Sequence, residues 1–575
     1  MKRWIKNLIM ILITLLLIGG MIFAVNNAKN SNNVNNTALD SSNNQNNNQS
    51  NDSNPPAMPD NSNNQSDNQS NDSNPPAMPD SSNNQSDNQS NNGSNSPAMP
   101  DKSNNGLNVW YYVTFISLSF VISILVMYLI LSKFNKKSFK ETFKNKDKVV
   151  IEILSVIILT SILTGALSLC TSKKDSKVSS NISYSASTEI TKNTTITSGN
   201  YSSSTVDENA ILISDDVKVS NISVNKSGDS NGGDNTSFYG TNSAITVKDG
   251  ANAVFKNITV KTNATGANGV FSFGGNAATS NSSSDGTSVT ISNSKITTNK
   301  DNSGGIMTTG GGTMNATNLT ILTKGTSSAA IRTDRGGGNV TVNKGTYTTT
   351  GQGSPAIYST ANINVKNASL ISKASEGVVI EGKNSVTLDK CTLVDTNNKL
   401  NGKSTTYKNI FLYQSMSGDA DNGTASFSSK NSKITTNKGD SFYVTNTTAS
   451  ITLENNTIKN NDKSGNFLRI QKDSWGNSGS NGGDVTLNLK NQVVRGNIVV
   501  DSISTLDMNL KDSSSYTGTI NNSNSAKSIK LSLDKSSKIK LTGDSYITSF
   551  NNKDTTNSNI DFNGYKLYVN GKAIN

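Results

Sequence analysis

The 575-residue sequence contains no histidine, two cysteines and nine prolines, and only 33% of its residues are hydrophobic. Without histidine, the chain cannot build a Ser-His-Asp triad, a Cys-His dyad or a His-ligated zinc site. Two cysteines form at most one disulfide, which excludes a disulfide-stapled scaffold. The low apolar content argues against several ordinary compact cores. Chemistry by carboxylates, arginine, lysine and tyrosine remains open, and so does a function without chemistry.

Three long apolar runs lie near the N-terminus. The first, within residues 1–25, follows three basic residues and predicts a signal anchor, with a cleaved signal peptide as the alternative. The runs within 107–132 and 149–171 have the length of membrane-spanning helices. Between them lies a lysine-rich loop, 133–148, which the positive-inside rule places in the cytoplasm. We therefore expect a multi-pass protein of a bacterial cell membrane, in contact with its lipid, whose C-terminal region is extracellular.

Residues 26–106 form a low-complexity segment of Asn, Ser, Gln and Asp. The phrase NDSNPPAMPD occurs from Asn51 and again from Asn71, and a related phrase, SNSPAMPD, begins at Ser94. Such a composition cannot bury enough apolar surface to offset chain entropy. We expect a disordered extracellular linker, and a proline-containing ligand for a partner is the alternative.

From residue 173 onward, short β-branched strands alternate apolar and polar residues and recur at a fixed period. Successive repeats are mostly about 23 residues apart. Their equivalent apolar residues form three columns: Ile331, Ile357 and Ile380; Val342, Val365 and Leu388; and Tyr347, Leu370 and Leu393. Repeats of this kind bury a continuous apolar interior when they stack as coils. The sequence predicts an all-β domain over 173–575, a right-handed parallel β-helix with three strands per coil, behind N-terminal transmembrane α-helices. Longer segments predict loops inserted between strands at 276–286, 398–408, 415–423 and 472–483.

This pattern resembles the pectin-lyase-like right-handed β-helix superfamily and, more narrowly, surface-anchored bacterial adhesin-like β-helix proteins. The resemblance covers about 400 residues and is carried by GGDNTSFYG from Gly232, SSAAIRTDRGGG from Ser327, SPAIYST from Ser354, VVIEGKNSV from Val378, YQSMSGDAD from Tyr413, FYVTNT from Phe442 and WGNSGSNGGDV from Trp475. It implies the fold, whereas the functions it implies range over lyases, hydrolases, adhesins and passive spacers.

One face of the predicted coil stands apart from the Thr, Asn and Lys of the others. After the first buried position of each coil we expect an outward ladder of Arg, Tyr and Glu beside the inserted loops: Arg332, Tyr358, Glu381, Tyr413 and Arg469, with Asp334 and Arg335 adjacent. Arginine and glutamate form paired hydrogen bonds to sugar hydroxyls or carboxylates, and tyrosine rings pack on pyranose faces. The ladder therefore predicts ligand binding. The alternative is an exposed ladder of ion pairs, Arg332 to Glu381 across Tyr358, that stabilises the stack.

No catalytic residue is predicted, although enzymatic activity stays open. A pectate-lyase-like site would need an acidic Ca²⁺ cluster beside a base, for which the candidates are Arg332, Asp334, Arg335, Glu376 and Glu381. These carboxylates are sparse, and a His-containing hydrolase motif cannot be formed. Asp419–Gly423 resembles the start of a Ca²⁺ loop but lacks the later ligands, so we expect a polar loop and no cofactor, with Ca²⁺ as the alternative.

The formal charge of +11 favours anionic polymers as partners. The lysines are scattered singly and lack aromatic interleaving, so nucleic acid is not expected as a partner. The leading hypothesis is a membrane-anchored, adhesin-like protein that binds glycans or other envelope or host polymers without turnover. A polysaccharide lyase or hydrolase and a passive cell-envelope spacer are the alternatives.

Overall fold

The computed structural model describes residues 182–230, 233, 235–275 and 284–575. The predictions for the N-terminal segments 1–25, 26–106, 107–132, 133–148 and 149–171 lie outside these residues. In the part of the chain that is described, no helix has the length and apolar character needed to span a membrane. This part is mostly β, and its helical content is a five-residue π-helical segment, Asn235–Tyr239.

Twelve short parallel strands form one sheet, here called the front sheet. Its strands follow one another in chain order: Glu189–Ile190, Ile211–Ile213, Ile245–Val247, Val270–Phe273, Ile306–Thr309, Ile331–Thr333, Ile357–Ser359, Val378–Glu381, Lys408–Tyr413, Asp440–Thr445, Leu468–Ile470 and Ile498–Val500. Each strand pairs with the one about a coil earlier and the one about a coil later, so its neighbours in the sheet are distant in sequence.

A second sheet of twenty-two strands, the long sheet, supplies the other two strands of most coils. Its strands are Thr194–Ile196, Gly199–Ser203, Val217–Ser220, Ile222–Lys226, Asn252–Lys256, Thr259–Thr262, Ser288–Ser292, Lys295–Thr298, Gly312–Thr323, Gly338–Thr349, Asn362–Lys366, Ser369–Ser372, Ser385–Asp389, Thr392–Asp395, Thr424–Lys430, Lys433–Thr436, Thr447–Glu454, Thr457–Asn460, Gly483–Lys490, Thr505–Lys511, Ser528–Leu533 and Ser549–Asn552. These parallel ladders are consistent with a parallel β-helix.

Two small sheets lie towards the C-terminus. The four-stranded sheet contains Val493–Arg495, Ser515–Gly518, Lys538–Leu541 and Ile560–Asp561, and the three-stranded sheet contains Ser545–Ile547, Leu567–Val569 and Lys572–Ala573. The last two of these strands pair antiparallel, so the chain ends in a hairpin.

The strand register confirms two of the three predicted columns. Val342, Val365 and Leu388 are aligned, and so are Tyr347, Leu370 and Leu393. The third column was wrong by two residues, because Ile357 pairs with Val378, whereas Ile380 pairs with Ser359. Val378 and Ile380 both point into the core, so a shift of two residues preserves the apolar pattern that led to the prediction.

Asparagine makes the corner between the two strands that each coil contributes to the long sheet. Most of these corner residues have a positive φ near 50°: Asn221, Asn257, Asn293, Asn318, Asn367, Asn431, Asn455 and Asn491. Asparagine tolerates this left-handed conformation better than other non-glycine residues. The amides also bond between coils, as when Asn318 Nδ2 donates to Asn293 Oδ1 at 2.8 Å. The high asparagine content is therefore partly a requirement of the turn.

The interior of the coil is one continuous apolar cluster that runs from Ile190 to Leu567. Cys391 lies at a corner of this interior as a buried free thiol and donates weakly to the carbonyl oxygens of Val365 and Asp389. Burial raises the pKa of this thiol, as is usual for a structural cysteine in apolar surroundings.

Candidate functional site

The outer surface of the front sheet, here called the front face, carries the predicted ladder in a different register. Arg332 pairs with Tyr358, but Tyr358 pairs with Val379, and the same column continues through Phe411, Tyr443 and Arg469. Glu381 and Tyr413 are aligned with each other in a second outward column, two residues further along the strands. Side chains alternate between the two faces of a strand, so residues two positions apart lie on the same face, about 7 Å apart along the strand.

The predicted exposure of the ladder was wrong. Arg332, Asp334, Tyr358, Glu381 and Tyr413 are between 1% and 8% exposed. The inserted segments pack onto the front face and seal it with a second apolar layer outside the core. One part of this layer comprises Ala329, Tyr358, Val379, Phe411, Tyr413 and Tyr443 with Trp475, and another comprises Phe238, Phe271, Phe273 and Met307 with Tyr239.

Glu381 is the polar centre of this layer. Its Oε2 accepts hydrogen bonds from the hydroxyls of Tyr358 at 2.7 Å and Tyr413 at 3.0 Å. Its Oε1 accepts from Ser415 and, at 3.4 Å, from Ser417, both in the inserted loop 414–423. Burial raises the pKa of the Glu381 carboxyl, and the hydroxyl donors offset part of that rise. Glu381 therefore fastens the loop to the sheet.

The arginines of the predicted site pair with aspartates, and the Arg332–Glu381 ion pair that was the alternative to ligand binding does not form. Arg332 Nη2 lies 2.6 Å from Asp334 Oδ2, and Arg335 Nη2 lies 2.8 Å from Asp419 Oδ1. Burial raises the pKa of Asp334 to about 6 against the opposing effect of Arg332, and the charge of Asp419 adds to the rise. These contacts occupy Asp419, the first residue of the sequence that resembled a Ca²⁺ loop.

A second polar network lies three coils beyond Glu381, around Arg469. Its Nε donates to Asp440 Oδ2 at 2.5 Å, and its Nη1 donates to Gln471 Oε1 at 3.3 Å. The chain of bonds continues from Gln471 Nε2 to the Tyr443 hydroxyl at 3.1 Å, which itself donates to Asp473 Oδ2 at 2.6 Å. This network ties the inserted loop 471–482 to the front sheet.

Lys408 is a member of this region that the sequence did not single out. Its side chain is buried, and its Nζ lies 4.4 Å from the ring centre of Phe411, 4.9 Å from that of Tyr443 and 3.9 Å from Glu376 Oε1. Burial lowers the pKa of the ammonium group, and the nearby carboxylates, Glu376 first, oppose this. The sequence signal for its burial was the run KNIFLY, whose apolar residues are not interrupted by polar ones after Asn409, as is typical of a strand covered on both faces. Every residue of this strand is buried.

Among the side chains that remain partly accessible above the sealed layer, Arg335, Arg469 and Trp475 are called the front rim. The side chains of Arg335 and Arg469 are 19% and 24% exposed. Trp475 is half-buried and packs with its ring centre 5.3 Å from those of Phe411 and Tyr413. The ladder residues thus divide into a buried set, which holds the loops, and Arg335 and Arg469, which keep contact with solvent.

Two carboxylates of the predicted site, Asp334 and Glu381, are not presented at its surface. Asp334 and Glu381 are enclosed and already bonded to Arg332 and to hydroxyl groups. Among the residues that the structure describes, no three His, Cys, Asp or Glu side chains are grouped as metal ligands. The front rim offers two guanidinium groups and an indole ring held in place by pairing and stacking.

No family model, no curated protein and no solved structure matches this chain.

Proposed function

We propose that this chain is a cell-surface protein, anchored in a bacterial membrane by its N-terminal segments, that binds glycans or related polymers without turnover. Under this proposal its coil is a right-handed β-helix of the pectin-lyase-like kind, and its role is adhesin-like. The observation that carries the proposal is the front rim, where Arg469 on a strand of the front sheet and Arg335 and Trp475 on the segments that follow such strands meet solvent.

The rim has the chemistry that sugar recognition requires. A guanidinium group makes paired hydrogen bonds to carboxylates or vicinal hydroxyls, and an indole ring provides a flat apolar surface for a pyranose face. Arg469 is held by Asp440 and Trp475 by Phe411 and Tyr413, so little side-chain entropy is lost on binding. The chain's charge of +11 favours acidic glycans over neutral ones.

The lyase alternative receives less support from the same geometry. A catalytic carboxylate or base has to reach its substrate, but Glu381 is 1% exposed beneath Ser415 and Ser417. The spacer alternative does not call for a layer of aromatic side chains and arginines confined to one face. Binding without turnover accounts for both the enclosed acids and the accessible rim.

A glycan array probed with the full-length chain in detergent tests the proposal. We expect acidic glycans to be retained and Arg469→Ala to reduce their signal by about tenfold or more, as for a central arginine of an interface. Arg495→Ala is the matched control, because Arg495 is an exposed arginine on the four-stranded sheet and its loss changes the net charge equally.

Two results would contradict the proposal. One is an array on which the wild-type chain retains no glycan, which would favour the alternative of a passive cell-envelope spacer. The other is the appearance of unsaturated product when the chain is incubated with polygalacturonate and Ca²⁺, which would establish the lyase. Equal losses in Arg469→Ala and Arg495→Ala would show that binding reflects net charge alone.

A further inference from the structure

A row of hydroxyl side chains runs along one inner corner of the coil. Where the third strand of each coil ends, the inward residue is Thr298, Thr323, Thr349, Ser372, Asp395 and Thr436 in successive coils, all aligned and buried. Most of these hydroxyl groups donate a hydrogen bond to a neighbouring oxygen. Thr298 and Thr323 each donate to a backbone carbonyl at 2.5 Å, those of Ser303 and Ser328. An ionised carboxylate at this position has no donor of its own.

Asp395 is the exception in this row. Its side chain is fully buried, and neither carboxylate oxygen accepts a hydrogen bond of normal geometry. Removing a carboxylate from water without a partner is costly, so something has to compensate for it.

Two buried amides leave their oxygen atoms unpartnered in the same turn of the coil. Asn397 Nδ2 donates to the Lys408 carbonyl at 2.9 Å and Asn409 Nδ2 donates to Thr436 Oγ1 at 3.0 Å, whereas both Oδ1 atoms accept nothing. Thr436 is aligned with Asp395 in the next coil, which places the Asn409 amide beside the carboxylate. The equivalent positions before Ile331 and Ile357 hold alanine, whereas an amide precedes Ile410, where it is buried, and the aligned Ile498, where it is exposed.

The position of the Asn409 oxygen is fixed by Gly377. A Cβ added to Gly377 would lie 2.3 Å from Asn409 Oδ1, so only glycine leaves room for this oxygen. The neighbouring residue, Glu376, is itself buried and within electrostatic reach of Asp395. Lys408 Nζ lies 3.9 Å from Glu376 Oε1 and offsets the negative charge of Glu376. The carboxylate oxygens of Asp395 and the Oδ1 atoms of Asn397 and Asn409 are therefore the acceptors that remain without a hydrogen-bond donor of normal geometry.

We propose that Asp395, Asn397 and Asn409, with Glu376 beside them, bind a hard cation inside the coil, and that the cation is Ca²⁺. Carboxylate and amide oxygens are the ligands that Ca²⁺ takes in proteins, and its variable coordination suits a set of unlike side chains. The long segment 396–407, which leaves the coil immediately after Asp395, makes room for the two amides that the regular corner lacks. The proposal does not depend on glycan binding at the front rim.

Calcium binding to the full-length chain tests the assignment. After removal of metal with EGTA, the protein is dialysed against CaCl₂, its bound calcium is measured by elemental mass spectrometry, and its thermal unfolding is recorded. We expect the wild-type midpoint to rise by about 3 °C when calcium is present at about 100 times its Kd.

Asp395→Thr is the informative variant, because threonine fills this position in neighbouring coils and keeps the coil intact. We expect it to bind one calcium ion fewer than wild type, to lose the calcium-dependent shift, and to unfold in EGTA at or above the wild-type temperature. Asp484→Thr removes an exposed carboxylate from the long sheet and should behave as wild type. A wild-type midpoint that ignores calcium, or equal calcium content in wild type and Asp395→Thr, would overturn the proposal in favour of a protonated Asp395 or a buried water.

Discussion

At the scale of the residue, Glu381 shows how a carboxylate can be structural on a face that looks like a binding ladder. Two tyrosine hydroxyls and two serine hydroxyls donate to it, and the serines belong to the loop 414–423. The carboxylate therefore holds the loop against the sheet through hydrogen bonds. Its removal leaves the buried Tyr358 and Tyr413 hydroxyls without their acceptor.

We predict that Glu381→Ala lowers the free energy of unfolding by about 2–4 kcal/mol, because it leaves buried donors unpaired and opens a cavity. Limited proteolysis should then cut within 414–423 earlier than in wild type. Glu454→Ala, which removes an exposed carboxylate paired with Lys430, should leave both the unfolding curve and the cleavage pattern unchanged. Cleavage at wild-type rates in Glu381→Ala would show that the loop is held by other contacts.

The residues of the candidate site were found in the sequence, but their surroundings were not. Strand alternation predicts which side of a strand a residue occupies, and Arg332, Tyr358 and Glu381 do lie on the outward side. It does not predict what covers that side. The coverage comes from loops whose packing depends on contacts across 30 or more residues, such as Ser415 with Glu381.

At the scale of the element, the coil could be predicted because each strand repeats one local rule. β-Branched residues alternate with polar ones, and asparagine marks the corners where φ is positive. The covered strands break the first rule, since VVIE, KNIFLY and DSFYVT are buried at every position. Such unbroken runs were the sequence signal that the front face is sealed.

The corner asparagines give a second prediction. Asn318 has a φ of 55°. We expect Asn318→Ala to destabilise the chain by about 1–2 kcal/mol, the cost of placing alanine in the left-handed region. Asn318→Gly should cost less, because glycine adopts this region freely. Asn315→Ala, on the exposed side of the same strand, should change the unfolding free energy by less than about 0.5 kcal/mol. Denaturant unfolding of the three variants measures this, and equal effects at 315 and 318 would contradict the account.

At the scale of the whole molecule, buried ionisable groups on the front face predict an unusual pH dependence. The pKa of Asp334 is about 6 in the folded chain, above its unfolded value, so the native state binds more protons between about pH 4 and 6 and stability falls as the pH rises through that window. The shift corresponds to about 3 kcal/mol for this group. Glu381 acts in the same direction.

The buried lysines affect the stability of the fold at alkaline pH. The pKa of Lys226 is lowered to about 8 by burial, so the unfolded state binds more protons above that pH and stability rises from about pH 8 to 10. We therefore predict a stability minimum between about pH 6 and 8 when unfolding is followed in EGTA. Asp334→Asn should reduce the fall between pH 4 and 6, and a wild-type curve that rises over this interval would show that other carboxylates dominate.

The central claim is that the front rim binds an acidic glycan through fixed side chains. Its most direct test is the affinity of the glycan best retained on the array, measured by titration calorimetry with the full-length chain, with Trp475→Ala and with Tyr565→Ala. Tyr565 is 39% exposed and serves as an aromatic control away from the front sheet. The account predicts that Trp475→Ala weakens binding by about tenfold or more while Tyr565→Ala binds as wild type. Unchanged affinity in Trp475→Ala, or equal losses in both variants, would contradict it.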